Sequence, residues 1–223
     1  MIVYGRQPVR ELLAARRRPV ETLWAVKPQE WPGAKQATSD EIAARCGSES
    51  HQGVCAQTAG YPYVGARELL REDALIVALD EVTDVQNLGA IARTAEVAGA
   101  TGLVIPERRS AEVTPAACKA SAGAVEHLRI ARVRNLADFL GEAKQAGLWC
   151  YGADAAGRDY RQVDFAGGLV LVLGAEGRGL RPRVAGSCDE LVSLPVRGRI
   201  ASLNVSAAAA ALLYGILQEK TRP

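Results

Sequence analysis

From Ala74 onward, six short apolar runs, at residues 75–79, 103–105, 128–131, 148–151, 169–173 and 191–194, alternate with segments of helical character at 88–98, 115–122, 136–146 and 205–218. This alternation constrains the chain more than any other feature. Strands separated by helices pair in parallel, because each crossover brings the chain back to start the next strand in the same direction. The runs are continuously apolar, as in Leu169-Val170-Leu171-Val172-Leu173, and do not alternate with polar residues. Such strands belong to a sheet covered by helices on both faces, so the spacing predicts an α/β fold with a parallel sheet. With 48% apolar and 23% charged residues, the 223-residue chain has the material for that core.

The stretch before this pattern reads as a separate small α/β unit. Val9, Leu12 and Leu13 recur at helical spacing within 8–15, an apolar strand candidate follows at 22–26, and residues 27–34 form a Pro/Gly-containing loop. Ser39 or Asp40 is placed to cap a short helix reaching Arg45, and 54–57 is a further strand candidate. The run Ala59-Gly60-Tyr61-Pro62-Tyr63 breaks any regular pattern. The expected organisation is therefore a first domain over 1–60, a linker over 61–73 and a main domain over 74–223.

Composition narrows the setting. The longest apolar run, 207–217, is shorter than the roughly 18 residues a membrane span needs, and no basic-apolar-small leader pattern opens the chain, so a cytoplasmic protein without membrane contact is expected. The five cysteines are dispersed, without the close C-x-x-C pairs of metal sites, so no metal is expected. A net charge of +2 says little about partners, and local clusters say more: Arg16, Arg17 and Arg18; Arg178, Arg181 and Arg183; Arg197 and Arg199. Each cluster taken alone also reads as a solvated face.

Three segments at strand ends carry chemistry, and ligands of open α/β sheets bind outside the carboxyl ends of the strands. In the first, a strand ending near Asp80 leads through a polar loop into a helix starting near Asn87, with Arg93 about one and a half turns further on. A helix cap at Asn87 and a surface ion pair at Arg93 are the simpler readings. The second, Gly174-Ala175-Glu176-Gly177-Arg178-Gly179, sets three glycines around one carboxylate. Its G-x-x-G-x-G spacing differs from the dinucleotide fingerprint and it lacks the Lys-Ser or Lys-Thr of a phosphate loop, so it is either a tight turn or a place where a ligand approaches the backbone. The third, residues 193–206, ends in Ser202, Asn204 and Ser206 at a helix N-terminus, more polar groups than capping requires.

Together the three segments resemble the motifs of the SpoU/TrmH branch of the SPOUT methyltransferases, in the same order, over about residues 74–219. The stretch His51-Gln52-Gly53-Val54 is similar to part of the L30e-like RNA-binding domain that precedes the catalytic domain in RlmB-like enzymes, which methylate a guanosine of 23S ribosomal RNA. The helix expected after the first strand of such a domain is reduced here to the loop at 27–35. The resemblance implies a C-terminal trefoil knot, S-adenosylmethionine as cofactor, a homodimer, and methyl transfer to a ribose 2′-hydroxyl, with 23S rRNA the implied substrate. It assigns cofactor binding to Gly174, Glu176, Gly179, Leu194 and Leu203, and catalysis to Arg93 with Asn87, Glu176, Ser202 and Asn204. RNA contacts are expected from Arg16, Arg17, Arg18, His51 and Gln52.

Arginine's pKa exceeds about 12, so a guanidinium is poorly suited to act as a base; it is better suited to steady a developing alkoxide and an adjacent phosphate. Within the same class, the substrate alternatives are transfer RNA and an rRNA adenosine, as for the thiostrepton-resistance enzymes. A non-catalytic RNA-binding or ribosome-assembly protein is a different class, and the intact Asn87, Arg93, Glu176, Ser202 and Asn204 speak against it. The glycine spacing speaks against a nicotinamide-dependent enzyme.

Overall fold

The structure is a computed structural model that describes residues 1–200 and 202–220; Ala201, inside the third segment, and 221–223, at the end of the expected main domain, lie outside the described residues. The first unit comprises β1 (Ile2–Tyr4), α1 (Arg6–Ala15), β2 (Val20–Ala25), β3 (Lys35–Gln36), α2 (Ser39–Cys46) and β4 (Val54–Thr58). Its four strands pair in the order β1-β4-β2-β3, and β4 runs antiparallel to both neighbours. Between β2 and β3 the chain makes only a single 3-10 turn, Pro28–Glu30, where the loop was expected. The cap of α2 is Thr38, not Ser39 or Asp40. Its hydroxyl accepts from Glu41 N at 3.3 Å while the Glu41 carboxylate accepts from Thr38 N at 2.7 Å, so each side chain satisfies the other residue's otherwise free N–H.

The main unit runs β5 (Leu75–Asp80), α3 (Val85–Val97), β6 (Gly102–Pro106), α4 (Pro115–Ala120), β7 (Ile130–Val133), α5 (Leu136–Gln145), β8 (Trp149–Asp159), β9 (Leu169–Gly174), α6 (Pro182–Ala185), β10 (Glu190–Ser193) and α7 (Val205–Lys220). The sheet order is β10-β8-β9-β5-β6-β7 and every adjacent pair is parallel. Every residue of β5 and β6 is buried, as continuously apolar strands require. One face packs the cluster containing Leu88, Ile91, Leu212 and Ile216; the other packs Leu136, Phe139, Leu140 and Val184. Helix α3 sits close against α4 because Gly89 has no side chain: a Cβ there would lie 2.4 Å from Ala120 Cβ.

The stretch expected as a linker, 61–73, is tied to the main unit. Tyr61 is buried with its hydroxyl 2.8 Å from the carbonyls of both Val125 and Leu128, and Tyr63 accepts from Val113 N at 2.9 Å. Val64 bridges Ala131 in parallel, extending the sheet edge beside β7. Two aromatic rings in a stretch read as a breaker were the sign that it packs.

Candidate functional site

The site is built where β5, β9 and β10 end. Asp80 closes β5 as a fully buried carboxylate, and Arg181 meets it from beyond β9: the Arg181 backbone N donates to Oδ2 at 2.8 Å and Nε to Oδ1 at 2.8 Å. Arg181 Nη1 also lies 3.6 Å from Glu81 Oε1. These carboxylates hold the guanidinium in its charged form and raise its pKa further, with the Asp80 hydrogen bond the main cause. The first and second segments are thereby locked together by a pair that sequence reasoning missed. The single carboxylate terminating the run Leu75-Ile76-Val77-Ala78-Leu79 was the available signal, since a charge buried at the end of such a strand must find a partner.

The α3 helix begins two residues before Asn87. Asp84 is its cap, accepting from Gln86 N at 2.8 Å, so Asn87 is not needed for capping and its buried side chain faces inward. Beyond β9, Ala175 and Gly179 exchange backbone hydrogen bonds at 3.1 and 2.9 Å, closing a tight loop in which Gly177 and Gly179 have φ of 78° and 67°. Gly174 is required at its position: a Cβ would fall 2.2 Å from the Gly179 carbonyl carbon. Glu176 projects from this loop.

Asn204, from the third segment, caps α7 by accepting from Ser206 N at 2.8 Å and Ser206 Oγ at 2.6 Å. Both bonds engage Oδ1 and so fix which way its amide points. Nδ2 is left to donate to Asn87 Oδ1 at 3.0 Å, with Glu176 Oε2 at 3.5 Å; Asn87 Nδ2 in turn lies 3.5 Å from the same Glu176 oxygen. One residue from each segment thus enters a single hydrogen-bonded triangle.

Beside the triangle lies a cleft of about 660 Å³, lined by 153–155, 173–179, 192–200, Ser202, Leu203 and the α7 residues Val205, Ala208 and Leu212. It includes Gly174, Glu176, Gly179, Leu194, Ser202 and Leu203 of the residues singled out from sequence. Its walls suit a nucleoside-bearing cation. Leu194, Leu203 and Leu212 offer apolar surface, Gly177, Gly179 and Gly198 leave open space where a Cβ would stand, and Glu176 supplies negative charge at one edge.

Arg93 stands apart. It is exposed on α3 and makes no hydrogen bond or ion pair with a described residue, contrary to the surface-pair reading. Because α3 starts at Val85, Arg93 lies more than two turns into the helix, further than expected. Six residues from Asn87 is about 600° of rotation, so the two side chains leave the helix on different flanks.

The residues assigned to RNA are placed unevenly. Arg16 is exposed. Arg17 is occupied, donating to Leu128 O at 2.7 Å, and Arg18 is buried with its guanidinium bonded to both carboxylate oxygens of Glu126 and to Ala59 O at 3.1 Å. Arg18 therefore joins the two units, with its charge paired inside the protein. His51 is also buried; its Nδ1 accepts from Gly53 N at 3.0 Å, shaping the turn before β4. Gln52 is exposed but its Oε1 accepts from Arg6 N at 2.9 Å, satisfying the first turn of α1. His51 and Arg18, both expected at the RNA, are buried with their polar groups partnered inside the protein.

This fold is shared by SpoU and rRNA methyltransferases whose structures contain bound S-adenosylmethionine. The rRNA methyltransferase from Sinorhizobium meliloti with bound AdoMet superposes with a TM-score of 0.85 at 27% identity, covering 97% of this chain and 86% of that one. AviRb, a SpoU methyltransferase from Streptomyces viridochromogenes in complex with AdoMet, superposes with 0.84 at 27% identity, covering 98% and 89%. Residues 74–214 match the SpoU rRNA Methylase family, residues 2–64 match the RNA 2′-O ribose methyltransferase substrate-binding family, and YacO of Bacillus subtilis, assigned to the TrmH family of tRNA/rRNA methyltransferases, is 44% identical over 76% of this chain and 71% of its own length. The chain belongs to the SpoU/TrmH family of S-adenosylmethionine-dependent RNA methyltransferases.

Proposed function

We propose that the acceptor is a ribose 2′-hydroxyl, on a guanosine of 23S rRNA, and that the protein works as a cytoplasmic homodimer with the trefoil-knotted C-terminal segment of its family. The observation that carries this reading is the convergence of Asn87, Glu176 and Asn204 beside a cleft suited to the cofactor. The match of residues 2–64 to a substrate-binding domain of RNA 2′-O ribose methyltransferases supports the ribose acceptor. Among the described residues no helix is long and apolar enough to cross a membrane.

Bound S-adenosylmethionine supplies an electrophilic methyl group on a sulfonium. Gly174, Gly179, Leu194 and Leu203, which line the cleft, would hold it through backbone and apolar surface, and Glu176 would complement its positive charge. The chain's remaining task is to align a 2′-hydroxyl and let its proton leave. Asn87, Ser202 and Asn204 orient the nucleotide. Arg93 steadies the developing alkoxide and the neighbouring phosphate as a permanently charged bidentate donor. Its exposure away from its own chain's triangle favours a site completed by two copies, with the Arg93 of one facing the cleft of the other.

The test is methylation of 23S rRNA fragments and of total tRNA with labelled cofactor, followed by mapping. Label at a ribose 2′-oxygen of a 23S guanosine is the expected result. Label on a base carbon or nitrogen overturns the ribose acceptor, and label confined to tRNA or to an rRNA adenosine overturns the substrate assignment.

A further inference from the structure

Lys119 lies near the end of α4, on the helix that packs through Ala120 against Gly89 of α3. Its side chain crosses the junction between the two units and rests on the first strand of the substrate-binding unit. The ammonium is 5.9 Å from the centre of the Tyr4 ring, and a Cβ on Gly5 would lie 2.6 Å from Nζ and 3.2 Å from Cδ. Gly5 has φ of 97°, so both its backbone and its missing side chain leave room for this lysine.

The other charges of the junction have partners. Arg17 donates to Leu128 O, Arg18 is bound to Glu126, and His127 lies 2.7 Å from Glu11. Lys119 is partly buried yet makes no hydrogen bond or ion pair with a described residue. Burial disfavours its charged form and lowers its pKa, and no carboxylate among the described residues offsets that cost. The Arg18–Glu126 pair and the Tyr61 hydroxyl hold the junction together, and the packing of Ala120 against Gly89 sets the backbone that carries this cation relative to α3.

We infer that Lys119 is a backbone-phosphate contact for RNA crossing from the substrate-binding unit to α3, the helix that carries Asn87 and Arg93. The assignment rests on the RNA substrate proposed above. An ammonium is a compact donor suited to one phosphate, and a phosphate contact positions the strand without reading its sequence. Lys119 would set the register between the segment held by the first unit and the nucleotide presented at the site.

The experiment compares the full-length wild type with Lys119→Met, which keeps the stem against Gly5 and Tyr4, and with Lys119→Arg. Binding to 23S rRNA fragments and to total tRNA is measured from about 50 to 300 mM KCl. Lys119→Met is expected to weaken binding roughly tenfold at low salt and to reduce the slope of log K against log salt by about one, and Lys119→Arg to recover most of both. An unchanged slope overturns the inference, and so does a loss accompanied by a matching fall in melting temperature or in S-adenosylmethionine affinity, which marks a merely structural lysine. The two readings fail separately: if the wild type binds RNA but places no methyl on ribose, the acceptor assignment falls and the slope comparison still decides Lys119; if it binds neither RNA, both fall.

Discussion

The side-chain amide of Asn204 donates to the side-chain carbonyl of Asn87 at 3.0 Å, across 117 positions of the chain. The direction of this bond is set by Ser206, whose backbone N–H and hydroxyl both engage Asn204 Oδ1. The cap of α7 and the orientation of the site are consequently one device.

The two roles separate by substitution. Asn204→Asp keeps an acceptor for the Ser206 N–H, because aspartate caps as well as asparagine, but removes the donor to Asn87 and sets a second carboxylate near Glu176. It should lower methyl transfer by more than about tenfold while costing under about 1 kcal/mol in stability. Asn204→Ala should lose both, including about 1 kcal/mol for the cap. Urea unfolding and single-turnover transfer measure the two quantities, and Asn204→Asp with wild-type transfer would show that the triangle is only structural.

Arg93 contacts neither the triangle nor the cleft of its own chain. Arg93→Ala should abolish transfer while leaving S-adenosylmethionine affinity by calorimetry within about twofold of wild type, since a group acting on the transition state adds little to ground-state binding. In Arg93→Lys, residual activity that does not rise with pH identifies an electrostatic clamp, whereas activity rising toward alkaline pH identifies a base. Near-normal turnover in Arg93→Ala removes the residue from the mechanism.

Two glycine substitutions should act in opposite directions. Gly174→Ala forces a methyl group to within 2.2 Å of Gly179 backbone and opens the loop that lines the cleft, so cofactor affinity should fall by more than about tenfold. Gly141→Ala, within α5, meets nothing within 4 Å and should stabilise the protein by about 0.5–1 kcal/mol through helix propensity. Calorimetric titration and thermal melts check the pair, and unimpaired cofactor binding in Gly174→Ala would mean the loop does not form the site.

Burial pushes the thiols of Cys118 and Cys150 up to about 12 from the ordinary 9.0. Both should resist iodoacetamide in the native protein at neutral pH, because almost no thiolate is present. The folded state favours the protonated form, so the linked stability is whole below pH 9.0 and is lost as pH rises from there toward about 12. Melting temperature should therefore decline on the alkaline side, less steeply in a Cys118→Ala, Cys150→Ala variant. An equal decline in that variant would assign the alkaline loss to other groups.

Local patterns carried most of the secondary structure. The continuously apolar run at 169–173 became β9, and the alanine-rich stretch after Asn204 became α7, because period and propensity are properties of neighbouring residues. Reading erred where two candidates for one role stood close together. Thr38 caps α2 in place of Ser39 or Asp40, and Asp84 caps α3 in place of Asn87, since which side chain reaches the free N–H groups depends on dihedral angles set by the incoming loop. Arg16, Arg17 and Arg18 look alike in the chain, yet only the fold determines that Arg18 meets Glu126, 108 residues away.

By itself, the order of residues determined a parallel α/β sheet and three polar segments at strand ends whose motifs identify the family. Tertiary structure alone decided that Asn87, Glu176 and Asn204 meet, that Asp80 clamps Arg181, that His51 and Arg18 serve the interior, and that Lys119 rests over Tyr4 with no hydrogen bond or ion pair to a described residue. The physical reason is range. Helix and strand follow from hydrogen bonds and burial patterns repeated every few residues, whereas a side chain's partner follows from how whole strands are ordered in a sheet, which brings together groups that share no local pattern.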